Sequence, residues 1–143
     1  PVTTRSASAR YEGLGKKGAG TISTQSGVLA DQPYGFGTRF GEESGTNPEE
    51  LVAAAHASCF TMALSFALAQ AGFEKGTLDT TAVVTLDKDG DGFRVTKSAL
   101  ELRARVPGIG ADDFARIAAD AKANCPISKL LTAEVTLTHS LAE

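Results

Sequence analysis

The stretch Thr46–Phe73, TNPEELVAAAHASCFTMALSFALAQAGF, constrains the fold more than any other part of the chain. Thr46 or Asn47 can cap a helix here, Pro48 suits its first turn, and Glu49 and Glu50 lie near the positive end of its dipole. Gly72 is placed to be the left-handed residue after the last turn. No charged residue occurs between Leu51 and Phe73. A helix apolar nearly all round has to be buried nearly all round. Its length would let it span a bilayer, but it is rich in alanine and is interrupted by His56, Ser58, Thr61, Ser65 and Gln70. No basic cluster flanks it, so a buried helix in a soluble protein is the expectation.

The chain has 143 residues, the size of one domain with a real core. A net charge of −3 and a pI near 5.4 give no electrostatic support to nucleic-acid binding. The first residues, PVTTRSASARYEG, contain no apolar signal, which points to the cytoplasm. Two cysteines do not make a disulfide-stapled secreted scaffold.

Ser6–Gly13 and Gly20–Gln25 read as short strands around a glycine-rich turn. That turn, Gly13-Leu14-Gly15-Lys16-Lys17-Gly18, fits the spacing of a dinucleotide fingerprint, but strand-like TIST follows where the fingerprint needs a helix. Positions 27–45 read as a loop with one short strand, containing QPYGFGTRF. Beyond the central helix, Leu78–Leu86 is rich in β-branched residues and reads as a strand. Asp87, Asp89, Asp91 and Gly92 imitate a calcium loop, but Ser98 stands where the bidentate glutamate belongs, so a hairpin turn is expected.

Phe93–Val106 reads as a long strand, with Leu100, Leu102, Ala104 and Val106 on one face and a bulge near Ser98. A second helix is expected over Ala111–Ala123, with the stripe Phe114, Ile117, Ala118 and Ala121. Pro126 ends it and can begin another short helix. A final strand runs over Ala133–Leu141. The order ββ–α–ββ–α–β is that of an α+β fold with mostly antiparallel sheets. One sheet covers only one side of the central helix. A second copy of the chain would cover the rest, and Ala53, Ala54, Ala57, Ser58, Ala63 and Ala67 permit close approach, so an obligate homodimer is expected.

Cys59 and Cys125 are the sulfur nucleophiles, although free cysteines often serve only as small core residues. Cys125 precedes Pro126 at a helix break, where its amide surroundings favour a thiolate. Cys59 lies too far along its helix to feel the dipole, so an apolar pocket would raise its pKa. A reactive Cys59 needs a cation, and Arg39 is the candidate, held by Glu49 or Glu50 through a bidentate pair. His56, three residues before Cys59, could act as the base of a cysteine hydrolase, but reads better as a satisfied core or interface residue, as does His139. Two cysteines and two histidines match a zinc inventory, but only His56 and Cys59 are close in sequence, and no metal is expected.

QPYGFGTRF, TNPEELVAAAHASCF, the VPGI segment and KANCPISKLL resemble the family of osmotically inducible protein C and organic hydroperoxide resistance proteins (OsmC/Ohr), in its OsmC branch, from about Ser6 to Leu141. The resemblance implies a single domain over 1–143 whose antiparallel sheets wrap around long central helices in an intertwined homodimer. It implies a thiol peroxidase that reduces organic hydroperoxides to alcohols, in defence against oxidative stress. Cys59 would be peroxidatic, Cys125 would resolve it as a Cys59–Cys125 disulfide, and Arg39 and Glu49 would complete the catalytic set. No cofactor is implied beyond an external dithiol reductant, a lipoyl-type dithiol among the candidates, and neither nucleic acid nor membrane is a partner. A hydrolase would use Cys59 with His56 and not need Cys125. A ligand-binding module would need neither cysteine.

Overall fold

The computed structural model describes residues 2–143. The chain divides into two compact units, one ending at Leu51 and one running from Val52 to Glu143.

The first unit is a three-stranded antiparallel sheet of β1 (Ala7–Glu12), β2 (Ala19–Thr24) and β3 (Gln32–Tyr34), in that order, followed by a short helix α1 (Phe36–Phe40). The candidate dinucleotide turn is a single 3-10 turn, Gly15–Lys17, between two strands. Gly20 faces Tyr11 on one side and Tyr34 on the other. A side chain there would strike the Tyr34 ring, and in its absence the two tyrosines meet edge to face with centroids 5.9 Å apart. The TRF segment, expected in a loop, belongs to α1. The Thr38 hydroxyl holds this turn by accepting the Gly35 amide at 2.8 Å and donating to the Gly35 carbonyl at 3.0 Å.

The central helix α2 is Pro48–Gln70. Asn47 caps it, its Oδ1 accepting the Glu50 amide at 2.8 Å, while its Nδ2 donates to the Thr38 carbonyl at 3.0 Å. The far end closes with Gly72 at φ +99° and the Phe73 amide donating to the Leu68 carbonyl.

The second unit holds the larger sheet. β4 (Thr77–Asp89) and β5 (Gly92–Arg105) form an antiparallel hairpin, and β6 (Glu134–Ala142) lies against β5 in parallel, giving the order β4-β5-β6. The parallel pair departs from the antiparallel expectation. Its cause is the connection, since α3 (Ala111–Asn124) and α4 (Pro126–Leu130) return the chain to the end from which β5 began. The Asp-rich stretch is the hairpin itself: Asp89 pairs with Gly92 around Gly90 at φ +62°. The bulge falls at Thr96, two residues before the expected place, because Thr85 pairs with Lys97 and Leu86 with Val95.

The core of this unit joins Phe60, Leu64 and Leu68 of α2 to Leu100, Leu102 and Ala104 of β5 and to the stripe Phe114, Ile117, Ala118 and Ala121 of α3. The α2 residues stand at every fourth position, and His56 begins the same stripe. Within one chain, therefore, α2 is buried on a single face rather than all round. Met62 is 61% exposed and Phe66 70% exposed, on its outer side. Among the described residues α2 is also the one helix long and apolar enough to cross a membrane.

Candidate active site

Cys59 comes one residue before the core-facing Phe60 on α2 and is half-buried. Cys125 is fully buried at the junction of α3 and α4, in an extended conformation (φ −57°, ψ 125°) that the following Pro126 favours. Both thiols are free, Cys59 packs against the core cluster that contains Cys125, and each influences the other's ionisation.

Their surroundings differ. Burial raises the Cys59 pKa; the Ile127 amide opposes this, and the neighbouring Cys125 adds to it. Burial also works against ionisation of Cys125, but the Ser128 amide, the Cys59 thiol, the Ser128 hydroxyl and the Ile127 amide outweigh it, and its pKa falls. The helix break does for Cys125 what the Asn-Cys-Pro sequence suggested. Cys59 has no cation among these influences, as expected for a cysteine deep along an apolar helix.

His56 is completely buried. Its Nδ1 lies 2.6 Å from the Ser98 hydroxyl and its Nε2 2.8 Å from that of Ser128. Both ring nitrogens are engaged by serines, so the imidazole does not pair with Cys59 as a hydrolase would require. The core reading of His56 holds, with partners that sequence reasoning missed. Two signals could have found them. Ser98 shares the inward phase of Leu100 and Leu102, and Ser128 stands in the first turn after Cys125-Pro126. His139 is exposed and meets the Phe114 ring edge to face at 5.5 Å.

Burial lowers the His56 pKa from its ordinary value of 6.5. The unfolded chain takes up a proton near pH 6.5 while folded His56 does not. Stability is therefore complete above that pH and declines as pH falls toward the folded value. Urea midpoints at pH 7.5 and 5.5 should drop more for the natural chain than for His56→Gln; equal drops would show that His56 contributes nothing to this dependence.

In the first unit, Arg39 and Glu49 form a bidentate pair, with Nε to Oε1 and Nη2 to Oε2 both at 2.8 Å. Glu49, not Glu50, is the arginine's partner; Glu50 accepts the Thr46 hydroxyl at 2.7 Å. The Glu49 hydrogen bond and charge raise the Arg39 pKa against a smaller effect of burial. The guanidinium is thus a permanent, oriented cation with one edge of its fork committed. It stands in a recess of about 480 Å³ lined by Tyr11, Leu14, Tyr34, Phe36 and Phe40, and lies 5.5 Å from the Phe40 ring centre. The four residues expected to act together thus form two pairs, Cys59 with Cys125 and Arg39 with Glu49. Among the described residues, no three His, Cys, Asp or Glu side chains cluster so as to hold a metal.

Residues 41–140 match the family model described as OsmC-like protein. Peroxiredoxin OsmC of Escherichia coli is 57% identical over 133 residues, 93% of each chain. The organic hydroperoxide resistance protein OhrA of Bacillus subtilis is 33% identical over 101 residues, 71% of this chain and 70% of that protein. In three dimensions the OhrB protein of Bacillus subtilis superposes with a TM-score of 0.70 at 27% identity, covering 98% of both chains. A family match over most of the chain, a nearly full-length relative and a common fold agree, and the chain belongs to the OsmC/Ohr family, nearer to its OsmC relative than to its Ohr relatives.

Proposed function

We propose that this protein is a thiol-dependent peroxidase that reduces organic hydroperoxides to alcohols and so defends against oxidative stress. The observation that carries the reading is a pair of free thiols in one core cluster, Cys59 half-buried and Cys125 fully buried, near enough for each to alter the other's ionisation. Neither a hydrolase nor a binding module has use for that pairing. The names of the relatives, a peroxiredoxin and organic hydroperoxide resistance proteins, support the same chemistry.

In this mechanism the Cys59 thiolate attacks the outer peroxide oxygen, the O–O bond breaks, and an alcohol leaves as Cys59 becomes a sulfenic acid. Burial resists that thiolate, so a cation must offset it, and we assign this role to the Arg39–Glu49 pair. Lowering a thiol pKa by two units takes about 2.7 kcal/mol, within the range of an arginine–thiolate contact sheltered from water. The same guanidinium stabilises the developing alkoxide. Cys125 then displaces water from the sulfenic acid, giving the Cys59–Cys125 disulfide, and an external dithiol, of lipoyl type in one version, restores both thiols. Aromatic walls around Arg39 favour an alkyl peroxide over hydrogen peroxide, since each buried methylene gains about 0.8 kcal/mol. The protein would act as a homodimer paired through α2. A cycle starting from two thiols also suits a reducing compartment, the cytoplasm.

The test is a count of free thiols after one equivalent of an alkyl hydroperoxide, with hydrogen peroxide in parallel. Rapid loss of two thiols per chain, reversed by a dithiol, is the expected result. Survival of both thiols in excess alkyl hydroperoxide would overturn the reading.

A further inference from the structure

Four polar groups stand in file inside the second unit: Ser98 on β5, His56 on α2, Ser128 on α4 and Cys125 just before it. The links are 2.6 Å from Ser98 Oγ to His56 Nδ1 and 2.8 Å from His56 Nε2 to Ser128 Oγ. Ser128 stands in the first turn of α4, whose N-cap is Cys125, and its hydroxyl lowers the Cys125 pKa, while Cys59 packs against the core cluster that contains Cys125. Ser98, His56 and Cys125 are wholly shut off from solvent. His56 occupies a place in the stripe otherwise held by Phe60, Leu64 and Leu68, where an apolar side chain would avoid the cost of burying an imidazole. Its hydrogen-bond partner Ser128 acts on one chemically reactive group, and that group is Cys125.

We propose that His56 is a positioning residue for disulfide closure, receiving through the Ser128 hydroxyl the proton that Cys125 must give up. The proposal rests on the peroxidase reading above. The Cys125 proton passes to Ser128 Oγ as the Ser128 hydroxyl proton passes to His56 Nε2. The electron pair left on Cys125 forms the bond to the Cys59 sulfur, and the S–O bond of the sulfenic acid breaks. The departing hydroxide takes up the proton the file gives back and leaves as water. Cys125 is oxidised by as much as the Cys59 sulfur is reduced, and no outside reactant enters. In this proposal His56 takes up the proton from the tautomer that donates Nδ1–H to Ser98, which leaves Nε2 free to accept it. A hydrolase sets its histidine directly on the nucleophile, whereas here one hydroxyl intervenes and the histidine serves the second sulfur rather than the first.

The experiment separates the two half-reactions in a single turnover with one equivalent of alkyl hydroperoxide. Consumption of peroxide follows Cys59 oxidation, and a carbon-acid probe for sulfenic acid follows its decay to the disulfide. Ser128→Ala and His56→Gln should each slow closure by about a hundredfold, the lower end of what positioned proton transfer contributes, with a matching rise in probe labelling. Peroxide consumption should stay within about twofold of the natural chain, because a group used after the first barrier does not alter it. Ser128→Thr restores a hydroxyl and should restore closure, which a merely structural loss at position 128 would not permit. Closure at the natural rate in folded Ser128→Ala or His56→Gln overturns the proposal. So does equal slowing of both half-reactions, which marks a structural role. A natural chain that consumes no peroxide overturns the peroxidase reading, and this proposal with it.

Discussion

Cys59→Ser should reduce dithiol-supported turnover of an alkyl hydroperoxide by on the order of a thousandfold or more, since loss of the attacking nucleophile removes the covalent route altogether. Cys125→Ser should fail differently. Its Cys59 still meets peroxide, so one equivalent is consumed and one thiol per chain disappears. Without the second sulfur the sulfenic acid has no intramolecular partner. It should accumulate, accept a probe, and advance to sulfinic acid in excess peroxide. Multiple turnover then stops, except where the external dithiol attacks the sulfenic acid directly. The asymmetry follows from the site itself: Cys59 is half-buried and reachable, while Cys125 is fully enclosed. Peroxide consumption and thiol counts on both variants give the measurement. If Cys125→Ser loses its first turnover as completely as Cys59→Ser, the order of the two sulfurs is wrong. If Cys59→Ser keeps full turnover, Cys59 is not the nucleophile.

Much of this arrangement was legible in the sequence, and the reasons are local. Asn47-Pro48 and Gly72 mark the ends of α2 because capping and left-handed closure depend on side chains within one turn of the end. The α3 stripe and the alternation in β5 follow from the period of each element, and the Asp-Gly hairpin from turn chemistry. The Arg39–Glu49 pair could be narrowed only to one of two adjacent glutamates. What separates them is that Glu50 takes the Thr46 hydroxyl, a contact that one residue of helical phase decides. The helix α1 was hidden because Gly35, Gly37 and Gly41 give FGTRF the composition of a loop, while the turn is held by the Thr38 hydroxyl. The parallel pairing of β5 and β6 and the serines around His56 depend on contacts between segments far apart in the chain. Ser98 lies 42 positions from His56, and Ser128 lies 72. No window along the sequence contains them.

Phe66→Glu should convert the protein from a dimer to a monomer. The argument starts from α2, which carries no charge from Leu51 onward and yet buries only His56, Phe60, Leu64 and Leu68 within its own chain. Its outer side presents Phe66 and, one turn earlier, Met62, both more than half exposed, with Ser58 and Ala69 continuing the line. Two large apolar groups set among small ones suit helix-against-helix packing, in which the small residues admit the large ones of the partner. A fully buried Phe or Met side chain contributes about 1.5–3 kcal/mol, and two-fold symmetry counts each of them twice. Removing both phenyl rings and placing a carboxylate in each copy should therefore weaken association by roughly three orders of magnitude or more, since each 1.4 kcal/mol is a factor of ten. Sedimentation equilibrium is the direct measurement. The natural chain should weigh twice its 14.8 kDa, and Phe66→Glu should weigh 14.8 kDa with its helical circular dichroism retained. Met62→Lys places the opposite charge on the same line and should act alike, and mixing the two variants should restore some dimer by pairing Glu with Lys. A natural chain that sediments as a compact monomer would overturn the pairing of α2, and would leave Met62 and Phe66 to be covered by something other than a second copy.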